Sequence, residues 1–100
     1  MNETAPPSRH YSMQTGVQLF QQSQYMDALS HLTRVANEIV ISKEVVTAMH
    51  LSGIAFRRIG DRTASYRYLS DALKAVKKFN DRQLEAQIQE DFDTTKRMPQ

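Results

Sequence analysis

The sequence contains no cysteine and no tryptophan, and it has only three glycines and three prolines in 100 residues. Without cysteine there is no disulfide framework, no cysteine-based zinc site and no thiol nucleophile. Because glycine and proline are scarce, turns are few, which favours long helices and disfavours small β-barrels and glycine-rich phosphate loops. The first eight residues contain no apolar run, so the sequence predicts neither a signal peptide nor a transmembrane segment.

The composition of the sequence is typical of a small globular domain. Apolar residues make up 40% of the sequence, and 13 Lys and Arg against 11 Asp and Glu give a net charge of +2. This balance argues against intrinsic disorder, and the basic excess is small beside that of a dedicated nucleic-acid binder. One hundred residues allow a single domain with a modest core. We therefore expect one domain, located in the cytoplasm and without a membrane partner.

Five segments have apolar residues at steps of three and four, as amphipathic helices require. They cover residues 9–22, 25–40, 43–59, 62–79 and 82–93. Ile39 and Tyr66 are among the residues predicted to lie inside. The third segment is apolar on several sides and is expected to be the central helix. Residues 1–8 are expected to be disordered and residues 94–100 to be mobile.

Short polar residues separate these segments. Ser8, Ser42 and Asp61 are suited to N-cap positions, since their side-chain oxygens can accept a hydrogen bond from the first helical turn. Gly60 is suited to end a helix in the left-handed conformation. Asn80 and Asp81 repeat this stop and start before the last segment.

The chain resembles itself at an offset of 37 residues. The aligned pairs include Gly16 with Gly53, Ser23 with Gly60, Leu32 with Leu69, Ala36 with Leu73 and Ile39 with Val76. A period of this length indicates stacked helical hairpins, because one hairpin cannot bury its apolar face alone. A glycine inside a helix costs about 1 kcal/mol relative to alanine. The two aligned mid-helix glycines therefore predict close approach of the partner helix.

Two stretches of this repeat resemble the tetratricopeptide repeat (TPR) family. Residues 16–32 have the family's succession of a small residue, an aromatic or leucine, a turn, a tyrosine, an alanine and a bulky apolar residue. Residues 52–61, followed by residues 68–73, are the closer match. The resemblance implies an α-α superhelix of stacked hairpins, with hairpins at residues 9–40 and 43–79.

The repeat departs from the family pattern at several points. Its period is 37 residues where the family has 34, Arg62 replaces the aromatic residue after the turn, and Ser65 replaces an alanine. Continuing the register places Glu90 where a third glycine would fall. The fifth segment, residues 82–93, is therefore expected to cap the stack rather than begin another repeat.

The resemblance also implies a concave groove lined by the first helix of each hairpin. Arg57 and Arg58 are the best candidates for ligand contact, and with Phe20 they suit a peptide that has one hydrophobic and one acidic side chain. Alternatively, both arginines only solvate the end of their helix, while Phe20 and Met13 belong to the core. The residues expected to line the groove are His10, Met13, Val17, Phe20, Gln21, Thr47, His50, Ile54, Arg57 and Arg58.

These features predict a protein-interaction module or adaptor that binds a peptide or partner protein. A stack of two and a half repeats leaves apolar edges that a second copy could cover, so a self-associating homodimeric scaffold is one alternative. Another is a weak nucleic-acid-binding protein, with Lys74, Lys77 and Lys78 contacting phosphates.

The sequence predicts no enzyme, no cofactor and no metal. No serine lies in a nucleophile elbow, and there is no phosphate or dinucleotide loop. The three histidines are never four residues apart, as a helical two-histidine metal site needs. Asp27, His31, Arg34 and Glu38 follow one another along one helix face and are expected to form solvated ion pairs.

Overall fold

A computed structural model describes residues 9–99 of the chain, with side chains from Ser12 onward. Within that range the protein is all-α, as predicted. Its elements are α1 (Arg9–Gln21), α2 (Tyr25–Ala36), α3 (Lys43–Arg58), α4 (Arg62–Val76), a 3₁₀ turn (Lys77–Phe79) and α5 (Arg82–Lys96). The predicted disorder of residues 1–8 and the predicted N-cap Ser8 lie outside the described residues.

Helices α3, α4 and α5 each begin at a side-chain cap. In each case an oxygen accepts a hydrogen bond from the backbone N–H three residues on: Ser42 from Val45 (3.2 Å), Asp61 from Ala64 (3.0 Å) and Asp81 from Leu84 (3.0 Å). Such a cap satisfies one of the backbone donors that a helix start leaves unpaired. The predicted caps Ser42, Asp61 and Asp81 are confirmed.

The turns after α1 and α3 have the same backbone geometry. Ser23 has φ = 62° and Gly60, 37 residues later, has φ = 89°. In both turns the next residue closes the helix end: Gln24 N–H donates to the Leu19 carbonyl and Asp61 N–H to the Phe56 carbonyl, each at 2.9 Å. The left-handed ending predicted at Gly60 is confirmed, and its counterpart in the first repeat is a serine.

The helices of the two hairpins approach each other closely at Gly16 and Gly53. A Cβ atom added to Gly16 would lie 2.8 Å from Cδ2 of Leu32, and one added to Gly53 would lie 2.5 Å from Cγ of Leu69. Both distances are too short for carbon atoms in contact. The predicted close approach is confirmed in both copies of the repeat.

Helix α3 is the central element. Each helix packs against the next along the chain, and α3 also contacts α1 and α5, so that it touches each of the other four α-helices in residues 9–99. This arrangement confirms the prediction made from its all-round apolar character. The largest fully buried aliphatic side chains are Leu32, Val35, Val45, Val46, Leu69, Val76 and Ile88.

Helix α2 ends earlier than predicted. It stops at Ala36 rather than residue 40, and Ile39, predicted to lie inside, is 96% exposed. The reason is Asn37, whose side-chain amide donates to the Thr33 carbonyl (2.8 Å) and to the Tyr68 hydroxyl (3.0 Å). These bonds satisfy a carbonyl of the last helical turn and hold the chain where it leaves the helix.

Tyr66 also differs from the prediction. Its side chain is 41% exposed, and its ring lies 4.9 Å from that of Phe92, centroid to centroid. Tyr66 therefore covers the side of α5 rather than filling the core between α3 and α4.

Helix α5 is longer than predicted. It continues to Lys96, three residues beyond the expected end at residue 93, so the C-terminal segment expected from residue 94 begins in a helix. The cause is Thr95, which is fully buried and whose hydroxyl lies 2.9 Å from that of the buried Ser65 on α4. This polar pair fixes the last turn of α5 against α4.

Candidate protein-binding face

Helix α3 contacts both α1 and α5. The expected groove residues lie on α1 and α3, and we call this set the first-helix face. Its described members from the sequence prediction are Met13, Val17, Phe20, Gln21, Thr47, His50, Ile54, Arg57 and Arg58. His10 lies on α1, but its side chain is outside the described residues.

On α1, the predicted residues range from core to surface. Met13 is buried and belongs to the core cluster, whereas Val17 and Phe20 are half-buried and pack against it. The Phe20 ring meets that of Tyr25 edge to face, at 5.4 Å between centroids. Gln21, at the end of the helix, is exposed. Phe20 thus contacts the core on one side and stays partly accessible on the other.

On α3, the accessible members are Thr47, Ile54 and Arg58. Thr47 and Ile54 are half-buried and Arg58 is exposed. Arg58 has no ion-pair partner among the side chains of residues 12–99. It is therefore available to an acidic group from outside the described chain.

His50 and Arg57 instead bind Asp91 of α5. The Asp91 carboxylate lies with Oδ2 2.7 Å from His50 Nε2, and its Oδ1 accepts a hydrogen bond from the Arg57 guanidinium at 3.0 Å. Arg57 also donates to the Asp91 backbone carbonyl at 3.0 Å. The side chains of His50 and Arg57 are only 9% and 15% exposed. We call these three residues the Asp91 cluster; it joins α3 to α5.

The Asp91 cluster favours an ionised carboxylate. Burial raises the pKa of Asp91, but the hydrogen bonds and charges of His50 and Arg57 outweigh it, so the pKa lies below its ordinary value of 3.8. At neutral pH the positive charge of the Arg57 guanidinium is therefore already balanced by the Asp91 carboxylate. Arg57 is not a free receptor for a ligand's carboxylate in this conformation.

A cleft of about 360 Å³ lies between α3 and α5, next to the Asp91 cluster. Its lining residues are Lys43, Glu44, Thr47, Asp81, Gln83, Leu84 and Gln87. Two of these residues, Lys43 and Asp81, form an ion pair of 2.8 Å. The hydrogen bond from Lys43, together with the N–H of Leu84, lowers the pKa of Asp81. The lining of the cleft thus combines the apolar side chain of Leu84 with charged and amide groups.

Sequence reasoning missed the residues that α5 contributes to this face. The signal was present in the repeat, because Asp91 lies 37 residues after Ile54 and 74 after Val17. Leu84 and Gln87 follow from the same register, since they align with Thr47 and His50. Treating α5 only as a cap hid its part in the face.

The lysines considered for phosphate contact and the possible metal ligands do not form a site in the described residues. Lys77 pairs with Glu85 at 2.9 Å, and Lys74 and Lys78 are exposed. In residues 12–99 no group of three or more metal-binding side chains is close enough to hold an ion. The described helices are also too short or too polar to cross a bilayer.

Comparisons with models of protein families, with curated proteins and with solved structures found no match to this chain. The TPR family therefore stays a resemblance. A proposal for its function therefore rests on the described residues themselves.

Proposed function

We propose that the chain is a non-enzymatic, TPR-like protein-interaction module of the cytoplasm that binds a peptide or partner protein across its first-helix face. One observation carries the proposal. Val17 and Ile54, at equivalent positions of the two repeats, are both only half-buried on this face. Together with Phe20 they offer accessible apolar surface on neighbouring helices, on which hydrophobic side chains of a ligand can pack.

Arg58 is the reason to expect an acidic group in the same ligand. Unlike Arg57, it has no carboxylate partner in the described part of the chain. Gln21 occupies the equivalent position on α1. A guanidinium binds a carboxylate through two parallel hydrogen bonds, which gives direction as well as affinity. The ligand is therefore a peptide with hydrophobic side chains and one acidic side chain, which Arg58 binds.

The α3–α5 cleft extends the same face. Gln83 and Gln87 line it and carry amide groups that can donate to and accept from a peptide backbone. Leu84 and Thr47 also line it and can contact a small apolar side chain. An extended peptide crossing from α1 to α5 would thus meet apolar surface first and amide groups later.

A peptide selection tests this function. Short random peptides displayed on phage are panned against the chain, and the enriched peptides are titrated by fluorescence anisotropy. We expect hydrophobic and acidic residues to be enriched. Arg58→Glu should raise Kd about ten-fold, or about 1.4 kcal/mol, because repulsion replaces an ion pair. Ile54→Ser should weaken binding by removing apolar contact.

Lys74→Glu is the matched control, since it makes the same charge change at an exposed position on α4. It should leave Kd unchanged while circular dichroism shows that each variant keeps its helices. Equal loss of binding in Lys74→Glu and Arg58→Glu would mean that net charge alone governs binding, and the proposal would be wrong. Failure to enrich any peptide would contradict it as well.

A further inference from the structure

The exposed apolar side chains of the described chain lie in two places outside the first-helix face. Five large hydrophobic residues are exposed in residues 12–99, and one of them, Tyr66, packs against Phe92. The other four are Met26 (68%), Ile39 (96%), Val40 (75%) and Ile59 (39%). Ile39 and Val40 form what we call the tip, on the loop between α2 and α3.

Met26 and Ile59 belong to a pocket of about 340 Å³, which we call the end pocket. It is lined by Ser23, Gln24, Tyr25, Met26, Asp27 and Ile59. These residues come from the turn between α1 and α2 and the turn between α3 and α4. The two turns are therefore neighbours at one end of the stack.

The tip is at the opposite end. Helices that follow one another through short turns run in opposite directions, so the loop after α2 and the loop after α4 lie away from the end pocket. The ion pair between Lys43 and Asp81 joins the first residue of α3 to the N-cap of α5, where these two loops end. A single chain thus presents an apolar projection at one end and an apolar pocket at the other.

The tip is held in place from both sides. Before it, Asn37 donates to the Tyr68 hydroxyl at 3.0 Å, and after it Ile41 packs against the core. In the second repeat, the residue equivalent to Ile39 is Val76, which is only 1% exposed. The exposure of Ile39 is therefore a property of this anchored loop and not of the repeat.

The charged residues near the end pocket differ from those near the tip. Asp27 is the one charged residue that lines the end pocket. At the end that carries the tip, Lys43 and Lys77 are paired with Asp81 and Glu85, and Glu38 and Glu44 have interactions of their own. That leaves Arg34, Lys74, Lys78 and Arg82 without an ion-pair partner among the described residues. A second copy brought tip to pocket would set cations near an acid.

We propose that copies of this chain associate head to tail, with the tip of one copy inserted in the end pocket of the next. Such a contact uses two different surfaces, so it leaves one tip and one pocket free and propagates unless the copies close into a ring. Neither surface belongs to the first-helix face. Self-association and peptide binding can therefore succeed or fail separately.

Sedimentation of the whole chain over a concentration series tests the proposal. The tip variant carries Ile39→Ser and Val40→Ser, and the pocket variant carries Met26→Glu; all three positions are exposed, so the helices should remain. We expect the average mass of the wild type to rise above the 11.5 kDa of one chain. Each variant alone should associate at least ten-fold more weakly. Glu90→Gln, at an exposed position in the middle of α5 away from both the tip and the end pocket, should associate like the wild type.

Mixing the two variants gives the decisive result. The pocket variant keeps its tip and the tip variant keeps its pocket, so the mixture should form pairs of two chains and nothing larger. A contact in which both copies use the same surface would not be restored by mixing. A wild type that stays monomeric, a mixture that does not associate, or a variant that associates as well as the wild type would each overturn the proposal.

Discussion

His50 Nε2 lies 2.7 Å from Oδ2 of Asp91, across 41 positions of the sequence. The contact joins α3 to α5, and Arg57, two turns further along α3, also binds Asp91. Two residues that the sequence suggested for ligand contact are thus engaged inside the protein. The carboxylate that satisfies Arg57 comes from α5.

Asp91→Asn should lower the free energy of unfolding by about 1–3 kcal/mol, because the nearly buried Arg57 guanidinium loses its counter-charge. Urea denaturation followed by circular dichroism measures the change. Asp71→Asn is the control, since Asp71 is exposed on α4. Similar losses in both variants would show that the Asp91 cluster has no special part in stability.

The same cluster predicts a pH dependence. Because the pKa of Asp91 in the folded state is below its ordinary value of 3.8, its contribution to stability is fully present well above pH 3.8. That contribution is lost as the pH falls through 3.8 and then through the lowered pKa. The difference in unfolding free energy between the wild type and Asp91→Asn should therefore shrink in acid. A difference that stays constant from neutral pH down to pH 3 would contradict this sign.

Gly53→Ala should destabilise the protein although alanine is the better helix former. The new Cβ would lie 2.5 Å from Cγ of Leu69, and overpacking of this kind costs about 1–3 kcal/mol against a gain of about 1 kcal/mol in helix propensity. In a Leu69→Ala background the clash disappears, so the same change should stabilise. Thermal unfolding of the four proteins in this cycle checks the reversal of sign.

Ser23→Gly should stabilise the protein by about 0.5–1 kcal/mol, because Ser23 has φ = 62° and glycine adopts this conformation without steric cost. The reciprocal change, Gly60→Ser, should destabilise by a similar amount, since Gly60 has φ = 89° and its surroundings leave open space for a side chain. Chemical denaturation of both variants measures the pair. Stabilisation by Gly60→Ser would show that backbone strain does not govern these turns.

The helices, caps and repeated glycines could be predicted from the sequence because they depend on local spacing. Ser42 and Asp61 need only the first turn of their own helix, and Gly16 and Gly53 are marked by their alignment. The burial of Ile39 was a wrong prediction because it assumed that the repeat also holds at the helix end. Asn37 ends α2 through a bond to Tyr68, a residue 31 positions away that no local pattern reveals.

The first-helix face could be predicted only in part. The positions on α1 and α3 follow from the repeat, but the state of each side chain depends on what packs against it. His50 and Arg57 differ from Arg58 because Asp91 reaches them, and Thr95 lies in a helix because Ser65 is there to pair with it. Contacts between distant polar residues are decided by the assembled helices.

The central place of α3 has a consequence for how the molecule opens. A terminal helix can detach while its neighbours keep their contacts, but α3 cannot leave without uncovering every other α-helix of residues 9–99. Amide hydrogens in the middle of α3 should therefore exchange with solvent only through global unfolding, while those of α1 and α5 exchange through smaller local openings. The slowest-exchanging amides would then all lie in α3, and their exchange rates would measure the free energy of global unfolding.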